Sequence, residues 1–332
     1  MKARISLILL LVASALASPL TPVAHGWGCK GHQTVALIAE KHLTPAAKQL
    51  AATLLAVDPG RKNSGTPCGT AGLDAFAAAA TWADAVRIHG KDDGFHYVDI
   101  PRGALQEVIS SVCNTPRSCV TRAIADQTAI LEDKNADPQA RAAAIRYIIH
   151  LVGDLHQPLH CTTNGDRGGN CVPVGYFNSK PHPNKQSTSD LDDYNPNLHA
   201  VWDKQIVEKD MTAESATTAQ AYANALDTAF ATEIAVWKTE GIHLEDWAWD
   251  SHEHAEDISY GDLPKTVPVD AHADADVNAC SDNNRVGNRM LHKHIILGQP
   301  YQDEAAPVVE ERLAMAGIRL AVVLNEAAAN VH

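Results

Sequence analysis

The sequence predicts a mainly α-helical protein folded as a single globular multi-helix domain. Three observations carry this: apolar residues recur at helical spacing along most of the chain, alternating strand patterns are scarce, and no repeat or low-complexity linker divides it. The helical spacing runs through 34–55, 72–88, 120–131, 139–156, 198–207, 215–238 and 307–328. Thr44-Pro45 and Asp137-Pro138 each place a capping side chain before a proline in the first turn. Pro158 stops the helix containing "RYIIHLVGDLHQ", because proline disfavours helical geometry in the residue before it. "FHYVDI" is the best strand candidate, and 162–197, rich in Gly, Pro, Asn and Ser, reads as a long loop of the kind that often carries function.

Ahead of these elements, Lys2 and Arg4 precede the 13-residue apolar run "ISLILLLVASALA". That run is too short to span a bilayer and suits the core of an export signal. Two cleavage points fit the small-x-small rule, after Ala17 and after Gly26, and motif shape alone favours the first. No later stretch approaches 18 uncharged apolar residues, so the chain is expected to be secreted or periplasmic, without a membrane anchor. Removing residues 1–26 takes away Lys2 and Arg4 and no acid, moving the formal charge from −13 to −15. An acidic protein cannot hold a polyanion by its general field, so any phosphate ester must meet local positive charge, most simply from metal ions. Seven cysteines in an exported chain suggest disulfides with one left over. The expected pairs are Cys113–Cys119, Cys161–Cys171 and Cys29–Cys68, leaving Cys280.

Spacing locates the chemistry. In "HLVGDLHQPLH", His150 and Asp154 are i, i+4 and share a helix face, and His160 follows the proline break. In "NLHAVWD", His199 and Asp203 repeat the pair on a second helix. One such pair is commonly just a hydrogen-bonded pair. Two pairs, a third histidine, and Asp84 and His96 nearby are how a helical protein builds a nitrogen/oxygen metal site in its core.

"W-x4-H", "WAD-x-x-R", "FHYVD", "HLVGD-x5-H", "DRGGN", "NLH-x-x-WD" and "AG-x-RLA-x-x-LN" follow one another in this order from Trp27 to about Asn325. Together they resemble the zinc-dependent single-strand nucleases of the S1/P1 type, whose fold is shared with zinc phospholipases C. The resemblance implies a catalytic domain over 27–332 and a cleft with three zinc ions. One zinc would be bound by Asp84, His96, His150 and Asp154; a second by Asp154, His32 and the amine and carbonyl of Trp27; the third by His160, His199 and Asp203. The α-amine of Trp27 can serve only as a free chain end, and this favours cleavage after Gly26 over cleavage after Ala17. Three zinc ions against three aspartates leave the cleft locally positive within an acidic surface. The resemblance further implies that a zinc-activated water attacks phosphorus, Asp84 and Asp154 being counted with the catalytic residues. Arg87 would neutralise charge on the phosphate oxygens, with single-stranded RNA, single-stranded DNA and 3′-nucleotides as substrates and 5′-phosphates as products. Tyr97 matches the family's base-stacking position and Asp99 its base-hydrogen-bonding position. A monomer with no obligate protein partner is expected.

Other histidines fall outside this set. His156, two positions after Asp154, points away from the ligand face; His252 and His254, at i, i+2, and His182, His272, His292 and His294 read as surface or supporting residues. The loops at 178–197 and 261–284 look longer than the family core requires. Two rival readings stand beside the nuclease. A zinc-dependent phospholipase C is disfavoured by the five-residue gap from Trp27 to His32 and by aspartate as the last ligand; a non-catalytic exported zinc-binding protein is disfavoured by Arg87.

Overall fold

The computed structural model describes residues 27–61, 68–88, 91–113, 119–183, 194–264, 269 and 295–332. The expected export signal lies outside them, as do Cys280, His272, His292, His294 and most of the two long loops. Helices dominate. The 34–55 periodicity divides into α1 (Cys29–His42) and α2 (Pro45–Leu55), where Thr44 Oγ1 accepts from Ala47 N at 3.2 Å and Pro45 occupies a position that needs no N–H. The 72–88 periodicity divides into α3 (Ala75–Ala79), capped by the Asp74 carboxylate, and α4 (Trp82–Val86). After the short α5 (Ile109–Val112) come α6 (Val120–Glu132) and α7 (Pro138–Leu155), which pack together. Then α8 (Leu198–Ala200) runs through a π turn (Val201–Gln205) into α9 (Ile206–Ala213). The remaining helices are α10 (Ala219–Ala229), α11 (Ala231–Trp237), α12 (Leu244–His254) and the long α13 (Gln299–Asn330).

The centre of the core is α7. Its Ile148, Ile149, Leu151, Val152 and Leu155 are fully buried, each stabilising the fold by roughly 1.5–3 kcal/mol. It packs against α1, α2, α4, α6 and α13. On α13, Gly317 allows the close approach of α1: a Cβ there would lie 2.6 Å from Ile38 Cβ. Among the described residues, strands form only two-residue ladders, Gly175–Tyr176 parallel to Ile296–Leu297 and His182–Pro183 antiparallel to Tyr194–Asn195. No helix among them is long and apolar enough to cross a membrane.

Three sequence expectations change. "FHYVDI" is not a paired strand: Asp93–His96 is a 3-10 turn, and the extended residues after it are held by Val98 N to His160 O and Thr163 N to Ile100 O, both 2.8 Å. The last helix starts at Gln299 and contains Pro307, whose position faces solvent, so water can meet the carbonyl that proline leaves unpaired. The disulfides Cys29–Cys68 and Cys113–Cys119 form, but Cys161–Cys171 does not. Cys161 is a buried free thiol directed at the C-terminal end of α7, donating to Leu155 O at 3.4 Å, whereas Cys171 belongs to another disulfide.

Candidate metal centre

The ends of several elements converge beside α7. α1 brings His32, α4 brings Asp84, and the 3-10 turn Asp93–His96 brings His96. α7 supplies His150 and Asp154, the turn Pro158–Cys161 supplies His160, and α8 with its π turn supplies His199 and Asp203. All eight side chains are buried. Their ligand atoms form three groups suited to a metal ion: Asp84, His96 and His150; His32, His150 and Asp154; and His160, His199 and Asp203.

Backbone carbonyls set the rings. His150 Nδ1 donates to Ala80 O at 2.7 Å, His160 Nδ1 to His96 O at 2.6 Å, and His199 Nδ1 to Gly168 O at 2.8 Å. Each bond fixes a tautomer whose Nε2 lone pair faces inward, as metal-binding imidazoles require. A tetrahedral zinc with bonds near 2.0–2.1 Å separates its ligand atoms by about 3.3 Å. In the first group, His96 Nδ1 lies 3.1 Å from His150 Nε2 and 2.9 Å from Asp154 Oδ2, while Asp84 Oδ1 lies 3.5 Å from His150 Nε2. In the third, His160 Nε2 and His199 Nε2 are 3.1 Å apart and Asp203 Oδ2 is 3.5 Å from His199 Nε2. His32 Nε2 is 3.3 Å from Asp154 Oδ1, and neither atom makes a hydrogen bond. Two buried imidazole nitrogens 3.1 Å apart call for a shared cation or proton.

Electrostatics agree with that demand. Burial lowers His32 to about 4 and His199 to about 3, leaving both neutral, and burial lowers His96 and His160 as well. Burial opposes ionisation of His150 and Asp154 too, but their mutual attraction outweighs it, raising the histidine and lowering the aspartate. Arg87, half-buried at the C-terminal end of α4, adds its charge to burial in depressing His96, His160 and His199.

Trp27 is completely buried beside this centre. Its side chain packs on Gly31, and Gly153 of α7 leaves room for it and for His32: a Cβ at Gly153 would lie 2.9 Å from His32 Nδ1. The next residue anchors the segment, Gly28 N donating to Asp203 O at 2.7 Å. Tyr97 and Asp99 alternate with buried His96, Val98 and Ile100 along the extended stretch, so both half-buried side chains share its other face. His156 faces away from the metal groups, its Nε2 lying 3.1 Å from Arg319 Nη1. His252 is buried rather than on the surface and hydrogen-bonds Cys161 O at 3.1 Å, bracing the turn that carries His160. His254 lies 3.8 Å from Asp250, and His182 is exposed.

Several supporting residues were not singled out from the sequence. Gln157 donates to Asp203 Oδ1 at 2.5 Å and so orients the last carboxylate. Ser251 Oγ donates to Leu155 O at 2.6 Å and Arg312 Nε to His156 O at 3.4 Å, satisfying carbonyls at the end of the ligand-bearing helix. The glutamine in "HQPLH" and Arg312 of α13 are visible in the sequence, but only their long-range partners reveal their use.

Comparison with known proteins finds nucleases that match nearly the whole chain. A family model described as S1/P1 nuclease matches residues 27–329. Nuclease S1 of Aspergillus oryzae is 27% identical over 322 residues, covering 95% of this chain and 96% of that one. Endonuclease 4 of Arabidopsis thaliana is 27% identical over 327 residues, covering 92% and 91%. Nuclease P1 of Penicillium citrinum is 24% identical over 314 residues, covering 90% and 97%.

Proposed function

The chain belongs to the S1/P1 nuclease family, and from that premise we propose that it is an exported zinc-dependent phosphodiesterase. It hydrolyses single-stranded RNA and DNA to 5′-phosphate products and removes the phosphate of 3′-nucleotides. The observation that carries the reading is the convergence of three buried His/Asp groups, with Asp154 within 3.8 Å of a histidine of each. Three zinc ions are proposed, held by Asp84, His96, His150 and Asp154; by His32, Asp154 and the backbone of Trp27; and by His160, His199 and Asp203. Bound there, zinc supplies Lewis acidity toward phosphate and acidifies water.

The chain's own residues do the rest. The three aspartates and neutral imidazoles fix the positive charge within a few ångströms, so an acidic protein can receive a phosphodiester. Arg87 binds phosphate oxygens as charge accumulates on them. Tyr97 and Asp99, side by side, receive one base. That base must leave its stack to reach them, which costs little in a single strand and more in a duplex. The use of Trp27 as a chain end requires cleavage after Gly26, and 27–332 then forms the catalytic domain.

The test is zinc content near three per chain by native mass spectrometry, with release of acid-soluble nucleotides from RNA that chelation stops. Release of phosphocholine from lecithin in preference to nucleotides would replace this reading with a phospholipase. Tyr97→Ala is expected to weaken use of a nucleotide more than of a base-free phosphate ester, and equal losses would refute the stacking role.

A further inference from the structure

Arg87 lies in a turn that leaves the core, and the next residue, Ile88, is 42% exposed. A side chain asked to meet a phosphate from such a position needs its backbone held. The holding comes from the opposite side. The Asp92 carboxylate, 4% exposed as a residue, accepts from Ile88 N at 2.6 Å through Oδ1, while Asp92 N donates back to Ile88 O at 3.3 Å. Through Oδ2 it accepts from Arg61 Nη2 at 2.6 Å and from Tyr147 Oη at 2.9 Å. Arg61 also donates to Val86 O at 3.4 Å and to the Tyr147 hydroxyl. The peptide groups on both sides of Arg87 are thus gripped by one Arg61–Asp92 pair. Tyr147 ties that pair to α7, one turn before His150.

We propose that Arg61, Asp92 and Tyr147 form a clamp that positions Arg87 over the metal centre, with Asp92 as its central acceptor. The inference rests on the phosphate-binding role read for Arg87. Among the described residues, none of the clamp's hydrogen bonds reaches a metal-ligand side chain; the clamp acts by fixing where the Arg87 guanidinium stands relative to His150 and Asp154, which ride on the same helix as Tyr147. A charged donor displaced by about 1 Å loses on the order of 10²-fold in rate, and a carboxylate holding one backbone N–H and two side-chain donors is difficult to replace.

The test is a double-mutant cycle on the zinc-loaded enzyme with single-stranded RNA, reading kcat, KM and zinc content. Asp92→Ala is expected to lower kcat by about 10- to 100-fold, with zinc content unchanged. Added to Arg87→Ala it is expected to cost less than about twofold more, because the group it positions is already gone. Tyr147→Phe removes a single donor and keeps the ring, and gives a milder version of the same cycle should Asp92→Ala fail to fold. Asp92→Asn, which keeps an acceptor for Ile88 N, is expected to recover part of kcat. Losses that multiply between Asp92 and Arg87, or zinc lost from Asp92→Ala, would overturn the clamp as a positioning device. Wild-type kcat in Arg87→Ala would instead refute the phosphate-binding role itself.

Discussion

The two His/Asp pairs look alike in sequence, His150 with Asp154 and His199 with Asp203, yet the fold uses them differently. The first sits in the last turns of an 18-residue regular helix, with both side chains at 0% exposure. Asp154 lies within 3.8 Å of His32, His96, His150 and His160, so it is a junction between groups. The second straddles a three-residue helix and a π turn, and its members serve a single group. The His–Asp separation follows suit, 3.0 Å in the first pair and 3.5 Å in the second. Equal spacing therefore does not mean equal load: the pair on the rigid helix joins the centre together, while the other closes one end of it and borrows Gln157 for orientation.

The sharpest way to break this contrast is to neutralise each carboxylate in turn. Asp154→Asn is expected to lower RNA hydrolysis by more than about 10³-fold, beyond the loss of a single stabilising donor, and to release more than one metal equivalent by native mass spectrometry. Asp203→Asn is expected to release one equivalent and leave the others bound. Equal metal losses from the two variants would show that Asp154 is not a junction. Gln157→Ala is a smaller test of the borrowed support: metal affinity of the third group should fall about 10- to 100-fold while the first group stays filled. Unchanged affinity would mean that the 2.5 Å bond to Asp203 is incidental.

The smallest expected effect lies away from the metal-ligand groups, where carboxyl groups face each other instead of imidazoles. Burial, then the neighbouring Asp74, raises Glu40 to about 7, and burial, then Asp210, raises Glu310 to about 7. Both folded values exceed the ordinary glutamate range, so this stabilisation is complete at low pH and is lost as pH rises through about 7. The midpoint of thermal unfolding should therefore fall between pH 5 and pH 8. Glu310→Gln should recover roughly 2–4 °C of that loss at pH 8 and change little at pH 5. A variant that gains equally at both pH values would show that no proton is shared there.

Much of this was legible in the chain. Helix periodicity, the Thr44-Pro45 and Asp137-Pro138 starts, two of the three disulfides and the residues that cluster as metal-ligand groups follow from local pattern and from the ordered motifs. What was not legible depends on direction. Cys161 and Cys171 are ten positions apart, a spacing that suits a bridge, but the turn Pro158–Cys161 sends the first sulfur toward α7. α12 was missed because "LEDWAWDSHEH" mixes acids and histidines among its tryptophans and hides a helical stripe. Gly153 reads as a poor helix residue until Trp27 and His32 are seen pressed against it. Asp92 and Arg61 are 31 positions apart and carry no local signal at all.

One detail of the centre bears on ancestry. The three rings of His150, His160 and His199 are aimed by the carbonyls of Ala80, His96 and Gly168. A carbonyl is present whatever side chain a residue carries. The aiming is therefore written in the path of the main chain, and point substitutions at a position such as 80 leave the acceptor in place provided the path survives. This chain and Nuclease S1 differ at about three-quarters of their matched positions, at 27% identity, and an orientation set by the main-chain path is of the kind that tolerates such divergence.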